Sequence, residues 1–128
     1  MGSGERILLV DDDLAVLGIG RQMLIHFGYR VETGASPEEA LEKFSADPGG
    51  FELVITDQAM PQMTGAQLAT EMIRIRPDIP IIMTSGMPHD IADWLKKNGI
   101  IRRFIEKPFH KETVGRIVSE TLGNRQAS

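Results

Sequence analysis

Short apolar runs alternate with longer amphipathic stretches along this chain, and the alternation recurs five times. Residues 7–10 read as a buried first strand, and residues 14–27 follow at helical spacing before Gly28, a C-terminal helix signal. Residues 30–33 form a weaker second strand suited to a sheet edge. Ser36 can cap the next helix, Pro37 suits its first position, and Glu39 completes a capping box. That helix should reach Ala46, ahead of a turn at Asp47-Pro48-Gly49-Gly50. The pattern then predicts strands over 53–56, 81–84 and 103–105, and helices over 66–75, 91–97 and 111–122. Such alternation predicts an α/β fold of (βα)5 type around a parallel sheet.

Polar chemistry gathers where the apolar runs stop. Asp11, Asp12 and Asp13 follow the first strand, Asp57 the third, Thr84 and Ser85 the fourth, and Lys107 and Pro108 the fifth. All carboxyl ends of a parallel sheet lie on one edge, so these groups converge. Carboxylates, a hydroxyl and a lysine at such an edge suit a magnesium ion and a phosphoryl group. Asp13 is assigned to capping the first helix, while Asp11 and Asp12 suit a hard cation. Asp57 ends the most apolar strand and precedes a loop, which reads as an exposed carboxylate able to attack phosphorus. Lys107 would pair with Asp57 at rest and with phosphate afterwards. Pro108 makes a turn, with a cis Lys107–Pro108 bond as one form. Leu14, Ala15 and Gly18 lie together near this edge, either as core or as a patch gripping a partner helix.

Composition narrows the classes. A length of 128 residues suits one domain, expected over 5–122, with 1–4 as a tag remnant or linker and 123–128 as a flexible tail. No apolar run approaches the ~20 residues of a membrane span, so no membrane contact is expected. A net charge of −4 with scattered basic residues and little aromatic interleaving argues against direct nucleic-acid binding. The absence of cysteine excludes disulfides and thiolate chemistry. His26, His89 and His110 lack metal-ligand spacing.

Taken together, the acidic pair Asp11-Asp12, the segment Asp57-x-x-Met60-Pro61-x-Met63-x-Gly65, the Thr84-Ser85-Gly86 strand end and Lys107-Pro108-Phe109 resemble the receiver domain of two-component response regulators. The resemblance implies a flavodoxin-like, doubly wound five-stranded sheet of order 2-1-3-4-5. It implies that Asp57 accepts a phosphoryl group from a histidine kinase or a histidine phosphotransfer domain. Asp12 and Asp57 would bind Mg2+ (Mn2+ as a substitute) directly, Asp11 mainly through water, and the Ala59 backbone carbonyl would complete the protein ligands. Ser85 and Phe104 would occupy the switch positions, with Thr84 as the alternative hydroxyl, and Lys107 would bind phosphate. A homodimer through the fourth-helix, fifth-strand and final-helix face is a further implication.

Ala59 and Met87 lack polar side chains to hold an attacking water, which predicts a long-lived phosphoryl group. The family style also suggests a cytoplasmic receiver from a hybrid histidine kinase, a standalone regulator being the competitor. Such a domain would catalyse only its own phosphorylation and dephosphorylation. Two alternatives belong to other classes. One is a haloacid-dehalogenase-like phosphohydrolase with Asp11 as nucleophile and Asp13 as acid; the other is a receiver-like interaction module that never takes phosphate.

Overall fold

The computed structural model describes residues 2–86 and 99–126. Five strands, β1 (Arg6–Val10), β2 (Arg30–Gly34), β3 (Leu53–Asp57), β4 (Ile81–Ser85) and β5 (Arg103–Glu106), form one parallel sheet of order β2-β1-β3-β4-β5. This is the doubly wound, flavodoxin-like order expected. Helices α1 (Leu14–His26), α2 (Pro37–Ala46), α3 (Gly65–Ile75) and a C-terminal helix (Lys111–Gln126) cover its faces. The expected helix over 91–97, together with Met87 and His89, lies outside the described residues.

Period-two alternation sorts the strands between two cores. Ile7, Leu9, Leu53, Ile55, Ile82 and Ile105 pack with Leu17 and Leu24 of α1 and Val114 and Val118 of the C-terminal helix. Leu8, Val10, Val54, Ile81 and Met83 pack instead with Phe44 of α2 and with Leu68 and Met72 of α3. β3 is buried along its whole length because both faces are covered and it is central. β2, the edge strand, is mostly half-exposed, as its weaker apolar pattern predicts.

Local signals set most boundaries. Asp13 caps α1 by accepting from the amides of Ala15 and Val16. Ser36 caps α2 through the Glu39 amide, but Glu39 Oε1 reaches past Ser36 to accept from Ala35 N–H, so the expected box closes one residue early. Gly28 takes a φ of +95° at the α1–β2 turn, a conformation that favours glycine. Gly2 and Gly4 dock there: their amides donate to the carbonyls of Phe27 and Gly28 at 2.8 and 2.9 Å.

Two expectations shift at the ends of elements. β3, β4 and β5 each run one residue further than their apolar runs, onto Asp57, Ser85 and Glu106. The backbone ladder continues through the pairs Asp57↔Thr84 and Ser85↔Glu106, indifferent to side-chain polarity. The C-terminal helix likewise runs to Gln126, past the expected end at Leu122.

Candidate functional site

The strand register decides which polar groups meet. Asp11 continues the alternation of Ile7 and Leu9, Asp57 that of Leu53 and Ile55, and Lys107 that of Ile105. All three therefore fall on the face shared with α1 and the C-terminal helix. Lys107 Nζ stands 2.8 Å from Asp11 Oδ2 and 3.1 Å from Asp57 Oδ1. The expected Lys107–Asp57 pair is thus one arm of a bridge, and the shorter arm goes to Asp11.

Asp57 is not exposed, contrary to the sequence reading; it is 4% accessible, and Asp11 is 2%. The ladder that extends β3 onto Asp57 draws the carboxylate down among its neighbours. Its pKa is raised, first by burial and then by the Asp11 charge, while Lys107 and the backbone N–H of Ala59 pull it back down. For Lys107, burial lowers the pKa, but the neighbouring carboxylates of Asp11 and Asp57 outweigh it and the net shift is upward. The lysine is therefore a fixed cation.

Asp11, Asp12 and Asp57 each offer a carboxylate oxygen within 4.8 Å of the others, the one such cluster among the described residues. Asp12 is exposed, so the group opens to solvent on one side. Asp11 Oδ1 accepts from Asp13 N–H at 2.9 Å, whereas buried Oδ2 has no donor in hydrogen-bond geometry and faces Lys107 only as an ion pair. Three carboxylates against one ammonium leave an anionic excess, and the donor set is all oxygen. Both features fit a hard divalent cation such as Mg2+.

The remaining expected residues fall around this centre. Ser85 is buried at the end of β4, and its carbonyl accepts the Lys107 N–H at 2.9 Å, joining the two strand ends. Thr84 lines a small void among Leu9, Ile55, Ile105 and Phe109, which puts it in the core. Phe104 is half-buried against the α2–α3 core and pairs with Met83 across the ladder. The Lys107–Pro108 bond is cis, and Pro108 and Phe109 share a groove with Val16, Ile19 and Lys107 beside the acidic cluster. Leu14 is 70% accessible, and Ala15 and Gly18 are exposed, so this trio is surface and not core.

Sequence reasoning missed how the loop that follows Asp57 is fastened to α3. Thr64 caps α3 in a full capping box with Gln67, a spacing readable in Thr64-x-x-Gln67. Gln58 contributes too: its Oε1 accepts from Ala66 N–H at 2.9 Å, and its carbonyl accepts from Gly65 N–H at 3.0 Å. No local pattern announces a cap eight residues away. Asp13, meanwhile, caps α1 through Oδ1, as expected.

Comparison with known proteins agrees with this geometry. Residues 7–119 match the family model described as the response regulator receiver domain. The sensor kinase CckA of Brucella abortus is 34% identical over 122 residues, covering 95% of this chain and 13% of that protein. The chain spans 13–28% of the length of the curated relatives it matches. A CheY-like receiver domain protein from Methanospirillum hungatei superposes with a TM-score of 0.88 at 30% identity, covering 98% of each chain. The response regulator TrrA of Thermotoga maritima, solved in complex with Mg2+-BeF, gives a TM-score of 0.82 at 29% identity, covering 91% of this chain and 98% of that one. With the family model spanning most of its length, this chain belongs to the response regulator receiver domain family.

Proposed function

We propose that Asp57 is the phosphoacceptor of this receiver domain, taking a phosphoryl group from a phosphohistidine of a histidine kinase or histidine phosphotransfer domain. The observation that carries this reading is the buried Asp57 carboxylate held between an acidic pair and the Lys107 ammonium. In the reaction a carboxylate oxygen of Asp57 attacks phosphorus, the P–N bond breaks, and the imidazole leaves with the electron pair and takes up a proton. Asp11, Asp12 and Asp57 would hold Mg2+ (or Mn2+), with the Ala59 carbonyl as a further ligand. When bound, the ion supplies positive charge to the phosphoryl oxygens.

Lys107 is raised in pKa and so keeps its proton throughout, free to exchange a carboxylate for a phosphoryl oxygen. The new acyl phosphate brings about −1.5 to −2 charges to a site already in anionic excess. Ser85 would donate to it as the switch hydroxyl. Because the Ser85 carbonyl already holds the Lys107 amide, movement of one strand end is felt at the other. Phe104, next to Met83 across the ladder, is the aromatic that repacks; the change selects between two packings of one fold. Exposed Leu14, Ala15 and Gly18 on α1 form the patch that receives the partner helix, beside the groove of Ile19 and Pro108.

Intact-mass spectrometry after incubation with acetyl phosphate and Mg2+ tests the reading. The expected result is a labile gain of one phosphoryl group in wild type and none in Asp57→Asn. Beryllofluoride separates the classes: binding at Asp57 supports a phosphoacceptor, binding at Asp11 a phosphohydrolase, and none the inert module. Ala59 is exposed with no polar side chain to hold a water, so the phosphoryl group is long-lived. Ala59→Asn should shorten its half-life, and an unchanged half-life removes that argument.

A further inference from the structure

Gln58, the first residue of the loop after Asp57, is tied to its surroundings at three points. Gln58 N–H donates to Thr84 O at 3.0 Å, its carbonyl accepts from Gly65 N–H at 3.0 Å, and its side-chain Oε1 accepts from Ala66 N–H at 2.9 Å. Gly65 and Ala66 are the first two residues of α3, whose amides lack partners within the helix. One residue therefore answers two orphan donors, while Thr64 Oγ1 accepts from Gln67 N–H and Gln67 Oε1 accepts from Thr64 N–H. Gly65 sits so close that an added Cβ would collide with the Asp57 carbonyl.

The consequence follows from peptide planarity. The Gln58 carbonyl and the Ala59 N–H are opposite ends of one rigid unit, so fixing the first orients the second. That N–H helps to lower the pKa of the Asp57 carboxylate. Any residue could offer a backbone carbonyl to Gly65, but only a side-chain acceptor of the right length also holds Ala66. The side chain thereby fastens the helix start that keeps the carbonyl in place.

We propose that Gln58 is a positioning residue: its amide oxygen clamps the start of α3 and so aims the Ala59 peptide at Asp57. This deepens, and rests on, the reading of Asp57 as the phosphoacceptor. Gln58→Met keeps length and volume but removes the acceptor. Gln58→Glu keeps an acceptor at a helix N-terminus, where negative charge is favoured.

Three readouts on the intact domain test the clamp: Mg2+ affinity by titration calorimetry, phosphorylation rate with acetyl phosphate, and amide hydrogen exchange without metal. In Gln58→Met, Mg2+ binding and phosphorylation should each weaken about tenfold, the lower end for an outer-shell partner of a metal site. The Ala59 and Ala66 amides should exchange faster than in wild type, and Gln58→Glu should restore all three. Gln67→Ala cuts the same helix start without touching Gln58; it should lower the melting temperature yet leave Mg2+ affinity and Ala59 exchange unchanged. Equal losses in Gln67→Ala and Gln58→Met would reduce Gln58 to a helix cap and overturn the proposal. So would unchanged Mg2+ affinity and Ala59 exchange in Gln58→Met. If Gln58→Met does not fold, Gln58→Ala, which also lacks the acceptor, takes its place under the same criteria. Wild type that neither binds Mg2+ nor gains a phosphoryl group would instead sink the phosphoacceptor reading, and Ala59 exchange would then decide the clamp alone.

Discussion

Two ionic clusters lie at opposite ends of the same sheet, and they are built from similar parts. At the amino end Arg6 joins Glu32 of β2 and Asp47 after α2, and lies 4.4 Å over the Phe51 ring. Arg76 at the end of α3 donates to Asp78 and to the carbonyls of Pro48 and Phe51, pinning the turn that Arg6 holds from the other side. At the carboxyl end Lys107 joins Asp11 and Asp57, with Asp12 nearby. Solvation separates the two. The partners at the amino end are partly exposed, with Asp47 at 58% side-chain accessibility, so water shares the charge. At the carboxyl end two carboxylates are nearly inaccessible, and one ammonium cannot balance three anions. The first cluster is a staple that shares its charge with water. The second carries an anionic excess that a bound cation would balance.

The sharpest way to break this contrast is to remove the cation from each end. Lys107→Met should slow phosphorylation by acetyl phosphate on the order of 100-fold, the scale for losing one charge-stabilising donor. Arg6→Met should leave that rate within about twofold, since nothing links its cluster to the reacting oxygens. Comparable losses in both would mean that the amino-end staple shapes the site.

Removing an anion should have opposite effects at the two ends. The fold raises the pKa of Asp57, so its native state disfavours the ionised form. Wild-type stability without metal should therefore fall as pH rises from the ordinary carboxylate range through the raised Asp57 pKa. Asp57→Asn removes that penalty and should stabilise the metal-free domain at neutral pH, with less gain in acid. Mg2+ at about 100 times its dissociation constant should stabilise wild type by about 2.7 kcal/mol and the variant much less. Thermal melts across pH, with and without Mg2+, check both signs; a destabilised Asp57→Asn at neutral pH would mean that Lys107 dominates the carboxylate's energetics.

The smallest effect belongs to the staple. Glu32→Gln should cost no more than about 1 kcal/mol, with the loss shrinking in high salt, because the pair is partly exposed and Asp47 still holds Arg6. Melts at low and high salt test it, and a salt-independent loss would show that the staple is drier than its accessibility implies.

Much of this was legible from residues alone, for reasons that can be named. The caps at Asp13 and Ser36 and the stop at Gly28 are short-range signals, each acting within about one helical turn. The strands stood out because covering a sheet on both faces demands unbroken apolar runs, as Leu53-Val54-Ile55 shows. Strand ends in a parallel sheet share an edge, so Asp11, Asp57 and Lys107 could be placed together before any distance was known. Glu39 was misjudged by one residue because either of two neighbouring amides lay within reach of its side chain.

The order of apolar and polar positions thus determined the (βα)5 alternation, the edge that carries the chemistry and the residue types available there. Only the tertiary structure decided how those residues are used. Burial turned Asp57 from an exposed carboxylate into one with a raised pKa, because solvation depends on every neighbour packed around it. The bridge from Lys107 to Asp11 as well as Asp57 depends on the stagger of three strands. Gln58 reached the start of α3 only because the intervening loop folds back on itself. Periodicity is a property of neighbours in sequence, whereas desolvation and long-range bonds are properties of neighbours in space.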